Sequence, residues 1–313
     1  MKVVGITLGD PAGIGPELVA RALARPWSAP LRVFGDRGVL GRAAATCGVV
    51  LPAFDLVEVT ALEGVAQGSL ETGAAQVAYL EAALQQAKAG ELSALCTAPI
   101  HKAACKRAGF AFPGHTELLA ARLSPSETPL AVTMMLAGPR LRVSLATVHM
   151  ALADVPAALA IDDPITRAIV QTIDALQRSF HVATARVAVC GLNPHAGESG
   201  HFGDEEARLV SPAIARARAL RSDAQIVGPA VPDAIFRDAV EGKHDAVVAL
   251  YHDQGLIPVK LVDFEEAVNV TLGLPLLRTS PDHGVAYDIA GRGIARPTSF
   301  FAALQMACAA TSP

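Results

Sequence analysis

The sequence predicts an α/β protein of two domains, with mostly parallel sheets and one antiparallel hairpin near the middle of the chain. Three observations carry this. Short, continuous apolar runs recur along the chain, and such runs imply strands buried on both faces, as in parallel sheets. Longer stretches with helical spacing separate them, giving βα units. Two of the runs are joined only by "AGPR", a turn signal, and so read as a hairpin.

The strands are expected at residues 3–8, 31–34, 94–97, 131–136, 141–148, 185–190, 225–227, 246–251 and 268–272. The hairpin is the pair 131–136 and 141–148. Residues 72–89 form an Ala-rich helix that stops at Gly90. Residues 164–180 form the clearest helix: Asp163 can cap it, Pro164 suits its first turn, and Ile165, Ile169, Ile173, Leu176 and Phe180 make one stripe. Residues 205–220 contain Pro212 and should kink or divide there. The last helix spans about residues 299–310. No internal repeat or low-complexity linker is visible. The chain is expected to cross from a first domain (1–125 plus 270–313) into a second (126–269) and return.

The length of 313 residues suits one large domain or two ordinary ones. Hydrophobic residues make up 51% and charged residues 18%, which excludes disorder and predicts large cores. A net charge of −4 gives no reason to expect nucleic acid or an anionic membrane as partner. The five cysteines form no C-x-x-C pair and mostly lie in apolar runs, as in a reduced, cytoplasmic protein. The start, "MKVVGITLGDPAG", lacks the apolar core and cleavage site of a secretion signal, and no run is long enough to span a bilayer.

Three of the nine histidines share one context. His149 follows the run "RVSLATV", His195 lies a few residues beyond "RVAVCG", and His252 directly follows "AVVALY". Ligands of open α/β sheets bind at the carboxyl ends of strands. Each histidine alone reads as a strand-end cap. Three together put a metal on an equal footing with three separate caps, because three neutral imidazoles with an open position are a recurring catalytic arrangement, although no close H-x-H or H-x-x-x-H spacing adds to it.

Anion-binding candidates accompany them. "FPGHTELLAARL" places His115 and Thr116 at a helix start, where backbone N–H groups, an imidazole and a hydroxyl can meet an anion. An ordinary cap by Thr116 is the simpler alternative. His101 and Lys102 follow another strand. Lys260, Asn269 and Arg278 form a spaced polar series after His252, with Asp233 upstream. A Lys and an Arg near a metal suit a phosphorylated or carboxylated substrate. "TLGDPAGIGPE" is a glycine-rich strand-to-helix turn that is neither a G-x-G-x-x-G motif nor a P-loop. "DHGVAYDIAGRGIARPTSF" is a second glycine-rich loop, in which Asp288 could accept hydrogen bonds from an adenine or ribose.

Together, "GDPAGIGPE", "FPGHTELLA", "CGLNPHAGESGHFG", "YHDQGLIPVK" and "VNVTLGLPLLRTSPDHGVAYDIAGRG" resemble the 4-hydroxythreonine-4-phosphate dehydrogenases of vitamin B6 biosynthesis over nearly the whole chain. The segment His283–Gly291 is also similar to the adenosine-binding loop of isocitrate and isopropylmalate dehydrogenases. The resemblance implies a two-domain α/β/α subunit related to those enzymes, working as a homodimer with a shared active site. It implies one divalent metal (zinc, magnesium or cobalt) bound by His149, His195 and His252, contributed by both subunits. It implies substrate contacts at His115, Thr116, Lys260, Asn269 and Arg278, with Asp233 at a further active-site position. Lys260 and Asp233 are the catalytic candidates. NAD or NADP would meet His283, Gly284, Ala286 and Asp288. The implied reaction oxidises the C3 hydroxyl of 4-phosphohydroxy-L-threonine, and the β-keto acid loses CO₂ to give 3-amino-2-oxopropyl phosphate. A related branch acts on 4-phospho-D-threonate or 4-phospho-D-erythronate, and another on cyclohexadiene diols, against which the Gly-His-Thr segment argues. A phosphate acyltransferase is the reading from a different class, and it gives the strand-tip histidines no task.

Overall fold

The structure, a computed structural model, describes residues 3–311. It divides into two compact units. One is the chain up to Ala131 together with the chain from Leu274 onward, and the other is Val132–Gly273.

In chain order the first unit begins with β1 (Val3–Thr7), α1 (Gly15–Leu23), β2 (Leu31–Gly35), α2 (Arg37–Cys47), β3 (Asp55–Glu58), α3 (Leu70–Lys88), β4 (Leu92–Thr97), α4 (Lys102–Arg107) and α5 (His115–Arg122). The second unit holds β5 (Thr133–Ala137), β6 (Arg142–Leu145), α6 (Val155–Leu159), α7 (Pro164–Arg178), β7 (Arg186–Cys190), α8 (Ser211–Leu220), β8 (Gln225–Ala230), α9 (Pro232–Val240), β9 (Ala246–Ala249), α10 (His252–Asp263) and β10 (Val268–Leu272). The chain then returns to the first unit as β11 (Leu277–Pro281) and α11 (Thr298–Ala309).

The first unit's strands run in the order β3-β2-β1-β4-β11, all parallel. Val4 and Ile6 on β1 and Leu95 and Cys96 on β4 are fully buried, as strands covered on both faces require. Helices pack their apolar sides on this sheet, and Phe34, Leu80, Leu84, Leu95, Leu118 and Leu119 share one core. Two of these strands escape the apolar-run rule. β3 is a four-residue strand with charged ends, "DLVE". β11, "LRTSP", buries Arg278, Thr279 and Ser280, so its interior position is invisible to hydropathy.

The second unit's order is β10-β5-β6-β9-β7-β8. The β5–β6 pair is antiparallel, as the turn signal predicts, and β10 also runs antiparallel to β5. β6, β9, β7 and β8 are parallel. The core gathers Leu136, Val143, Leu145, Val247, Leu256 and Val259. On α7 the residues Ile165, Ile169, Ile173 and Leu176 are all buried. Asp163 sits at its N-cap position with a left-handed backbone (φ 48°), and its carboxylate accepts two 2.8 Å bonds from Arg216. Pro212 divides its helix as expected. Residues Glu206–Val210 form a π turn, with the Ser211 N–H bonded to the Glu206 carbonyl, and α8 follows with the proline in its first turn.

Among the described residues, no helix is long and apolar enough to cross a membrane. All five cysteines are free thiols, four of them buried.

Candidate active site

In the second unit the strand-tip histidines stand where parallel strands end. β9 stops at Ala249, two residues earlier than the apolar run, and Tyr251 becomes the N-cap of α10. His252 is therefore the first residue of a helix. Its ring lies 5.3 Å from that of His149, which follows β6, the neighbour of β9 in the sheet. His252 Nδ1 is 2.7 Å from Asp253 Oδ1. A carboxylate on one ring nitrogen fixes the tautomer and leaves Nε2 for a ligand, which is the usual support of a metal-binding imidazole.

Gln254 has a separate task. Its Oε1 accepts the Leu250 N–H at 2.7 Å and its Nε2 donates to the Gly191 carbonyl at 2.8 Å. It clamps the end of β9 to the end of β7, where the His195 loop begins. That loop carries His195 at φ 53°, exposed and 6.1 Å from the Phe202 ring. Among the described residues, no three His, Cys, Asp or Glu side chains are gathered as a metal-binding group. The donor chemistry thus fits a divalent cation at His149 and His252, while one chain alone does not gather the three-histidine set.

The other candidates of this unit are spread over its elements. Asp233 is exposed in the first turn of α9, Lys260 is exposed near the end of α10, and Asn269 is half-buried on β10 opposite Leu136.

The first unit holds the anion-binding candidates. Gly114 is the N-cap of α5, and no side chain caps this helix, so the ordinary cap by Thr116 does not form. His115 and Thr116 occupy the first turn instead, whose N–H groups have no capping side chain. His115 Nε2 is buried without a hydrogen-bond partner. Burial, then the charges of Arg278 and Lys102, push this imidazole well below its usual pKa, so it is neutral at pH 7. Arg278, on β11, is 4% exposed and donates from Nε and a terminal nitrogen to Thr97 Oγ1, at 3.1 and 2.7 Å. Desolvation lowers its pKa to about 10, which leaves it a cation. A Cβ on Gly114 would meet Glu117 Oε2 at 3.5 Å and Lys102 Nζ at 3.8 Å, so a second cation and one carboxylate stand beside the helix start. His101 does not join the group. It caps α4, accepting the Ala104 N–H at 3.1 Å, and its ring lies 5.1 Å from that of Tyr287.

The glycine-rich loop before α11 is docked on the first one. Tyr287 Oη donates to the buried carboxylate of Asp10 at 2.5 Å and accepts the Gly68 N–H at 3.0 Å. The Ile14 N–H donates to the Val285 carbonyl at 3.0 Å, and the Gly291 N–H to Glu17 Oε1 at 2.6 Å. His283, Gly284 and Asp288 are exposed on this loop, and Ala286 takes a left-handed φ of 46°. A cavity of about 300 Å³ lies alongside, between Pro11–Gly13, Arg42 and Thr46 of α2, Gln67 and Ala290–Gly291. None of the four cofactor candidates lines it. Asp10, Tyr287 and Gln254 carry hydrogen bonds in these loops that local spacing does not reveal.

The family model described as "Pyridoxal phosphate biosynthetic protein PdxA" matches residues 28–307. The 4-hydroxythreonine-4-phosphate dehydrogenase of Desulfosudis oleivorans is 48% identical over 97% of this chain and 95% of its own length. Among solved structures, 4-hydroxythreonine-4-phosphate dehydrogenase from Klebsiella pneumoniae is 36% identical, with a TM-score of 0.86 over 99% of this chain and 100% of that one. A terephthalate 1,2-cis-dihydrodiol dehydrogenase from Burkholderia xenovorans LB400 is 32% identical, with a TM-score of 0.73 over 98% of each chain. By family match, identity and coverage together, this chain belongs to the PdxA family of 4-hydroxythreonine-4-phosphate dehydrogenases.

Proposed function

We propose that this protein is a cytoplasmic, homodimeric, NAD(P)- and divalent-metal-dependent 4-hydroxythreonine-4-phosphate dehydrogenase. It oxidises the C3 hydroxyl of 4-phosphohydroxy-L-threonine and releases CO₂ to form 3-amino-2-oxopropyl phosphate. The observation that carries this reading, beyond family membership, is the uncapped start of α5, where the unpartnered His115 Nε2 lies close to the cations Arg278 and Lys102. Buried polar atoms are normally satisfied, so this imidazole calls for a ligand atom, and the cations set that ligand's charge as negative. A phosphate matches both demands and can also accept from the uncapped N–H groups of α5.

His115, Thr116 and Arg278 would hold the phosphate, and Asn269 would hydrogen-bond the rest of the substrate. His149, His195 and His252 would hold the cation, with ligands drawn from both subunits of the dimer. When bound, the dinucleotide would supply the acceptor for the C3 hydride, and the divalent cation would supply positive charge that favours ionisation of the C3 hydroxyl. Lys260 would polarise the new C3 ketone and balance the enolate charge left as the carboxylate departs as CO₂. The C3 hydroxyl proton would pass to solvent and a solvent proton would return to the enolate carbon after CO₂ loss, with Asp233, exposed at the start of α9, as the candidate to relay them. His283, Gly284, Ala286 and Asp288 would meet the adenosine portion of the cofactor.

The test is a substrate panel on one enzyme preparation. Purified protein with 4-phosphohydroxythreonine, a divalent metal and NAD⁺ or NADP⁺ should produce reduced dinucleotide. No signal there, with a clear one on 4-phospho-D-threonate or 4-phospho-D-erythronate, would transfer the assignment to that branch.

A further inference from the structure

The loop that carries His195 is built around a buried carboxylate that the reaction itself does not use. Glu206 is 6% exposed, although its neighbours lie at the surface. Its Oε1 accepts the backbone N–H groups of Leu192 and Asn193, at 2.8 and 2.7 Å, and its Oε2 accepts Asn193 Nδ2 at 3.0 Å. A Cβ on Gly197 would lie 2.6 Å from Oε2, and one on Gly191 would lie 2.8 Å from Ala196 Cα and 3.2 Å from Oε1. The loop closes on the carboxylate at Gly197, and on its own Ala196 at Gly191.

The segment thus held has an unusual backbone. His195, Ala196, Glu198 and Ser199 have φ values of 53°, 52°, 42° and 57°, and Gly197 between them has 80°. L-residues rarely adopt this region singly, and a run of them persists only where the surroundings impose it. Backbone bonds hold part of this turn, among them Ala196 N–H to Asn193, His201 N–H to Glu198 and Gly197, and Phe202 N–H to Gly197. Glu206 supplies the anchor at the loop's start and sits in the π turn that precedes α8. Such turns are frequent at functional sites. The same loop start accepts the Gln254 bond at Gly191, which ties it to the segment bearing His252.

We infer that Glu206 is a positioning residue for the divalent cation: its carboxylate imposes the left-handed turn that presents His195. The inference rests on the proposed role of His195 as a ligand. It adds a residue, 11 positions on in sequence, that touches neither cation nor substrate.

Titration of metal-free protein with Zn²⁺ alone, followed by calorimetry, tests it, with Glu206→Gln and His195→Ala measured beside the unaltered chain. The Gln variant keeps the shape but turns a donor toward Asn193 Nδ2. Both variants should bind Zn²⁺ more weakly, the Gln variant on the order of 10–100-fold, as for other outer groups that orient metal ligands. Hydrogen exchange at the amides of Leu192 and Asn193 should quicken in Glu206→Gln alone. Weaker binding in His195→Ala with unchanged binding in Glu206→Gln would overturn the positioning role and leave the ligand role intact. A lowered melting temperature in Glu206→Gln with unchanged affinity would make the residue merely structural. Unchanged affinity in His195→Ala would remove the ligand role, and this inference with it.

Discussion

Burial, then Arg278 and Lys102, hold the His115 imidazole below its usual pKa of 6.5. The sign of the consequence follows from proton counting. Between the depressed folded value and 6.5, the unfolded chain binds a proton that the folded chain does not. Unfolding free energy therefore falls as pH drops below about 6.5, by at most about 1.4 kcal/mol per pH unit for this one group. His115→Gln removes the titration. Urea unfolding at about pH 7 and about pH 5 should show a smaller loss in the variant than in the unaltered protein, and equal losses would contradict the buried, neutral imidazole. The pattern of residues that could and could not be foreseen has the same physical basis. His149, His195 and His252 can be named as candidates because each follows an apolar run. Gln254, Tyr287 and Asp10 cannot be, because their bonds join residues 63 and 277 positions apart. Sequence spacing carries no record of such pairings.

Two helical glycines show how an element's surroundings reverse an intrinsic preference. Glycine in a helix interior costs roughly 0.5–1 kcal/mol relative to alanine. Gly41, in α2, is exposed with nothing within 4 Å of where a Cβ would stand. Gly41→Ala should therefore raise the unfolding free energy by about that amount. Gly73, in α3, faces α4: a Cβ there would meet the Ala104 carbonyl carbon at 2.6 Å and the Cys105 nitrogen at 3.2 Å. These are backbone atoms that cannot turn aside, so overpacking of about 1–3 kcal/mol outweighs the propensity gain. Gly73→Ala should destabilise, and denaturant melts of the two variants should move in opposite directions. The same contrast between local signal and surroundings explains which elements were legible. The hairpin, the α7 stripe and most parallel strands declared themselves, because burial on both faces demands apolar runs. β11 did not, because its buried residues include Arg278, Thr279 and Ser280, the first two hydrogen-bonded to Thr97 and Ala303, and hydropathy does not mark them. Arg278 could be named as a candidate from its motif, but not as a strand residue donating to Thr97.

At the scale of the whole molecule, assembly turns on α10. Its inner side, with Gly255, Leu256 and Val259 buried, packs on the sheet of its own unit. Its outer side carries Asp253 and Lys260, and between and beyond them Ile257, Leu261 and, at the C-cap, Phe264 follow one another at helical spacing and are 63%, 85% and 73% exposed. A row of three large exposed apolar side chains is the kind of surface that marks a protein contact. A second copy of the chain is the partner the proposed function requires, since it draws metal ligands from both subunits and α10 begins with one of them, His252. A twofold interface is self-complementary, so one substitution alters both of its halves at once. Leu261→Asp places a charge where two such rows would meet, without touching the buried side of the helix. By sedimentation equilibrium the unaltered protein should have twice the 32.3 kDa chain mass, and the variant should approach the single-chain value while retaining its circular dichroism. The variant's Zn²⁺ affinity should fall with its dimer content, because a monomer lacks the partner's imidazoles. A variant that remains dimeric would move the interface away from α10, and a monomer that binds Zn²⁺ as tightly as the dimer would place the whole ligand set within one chain.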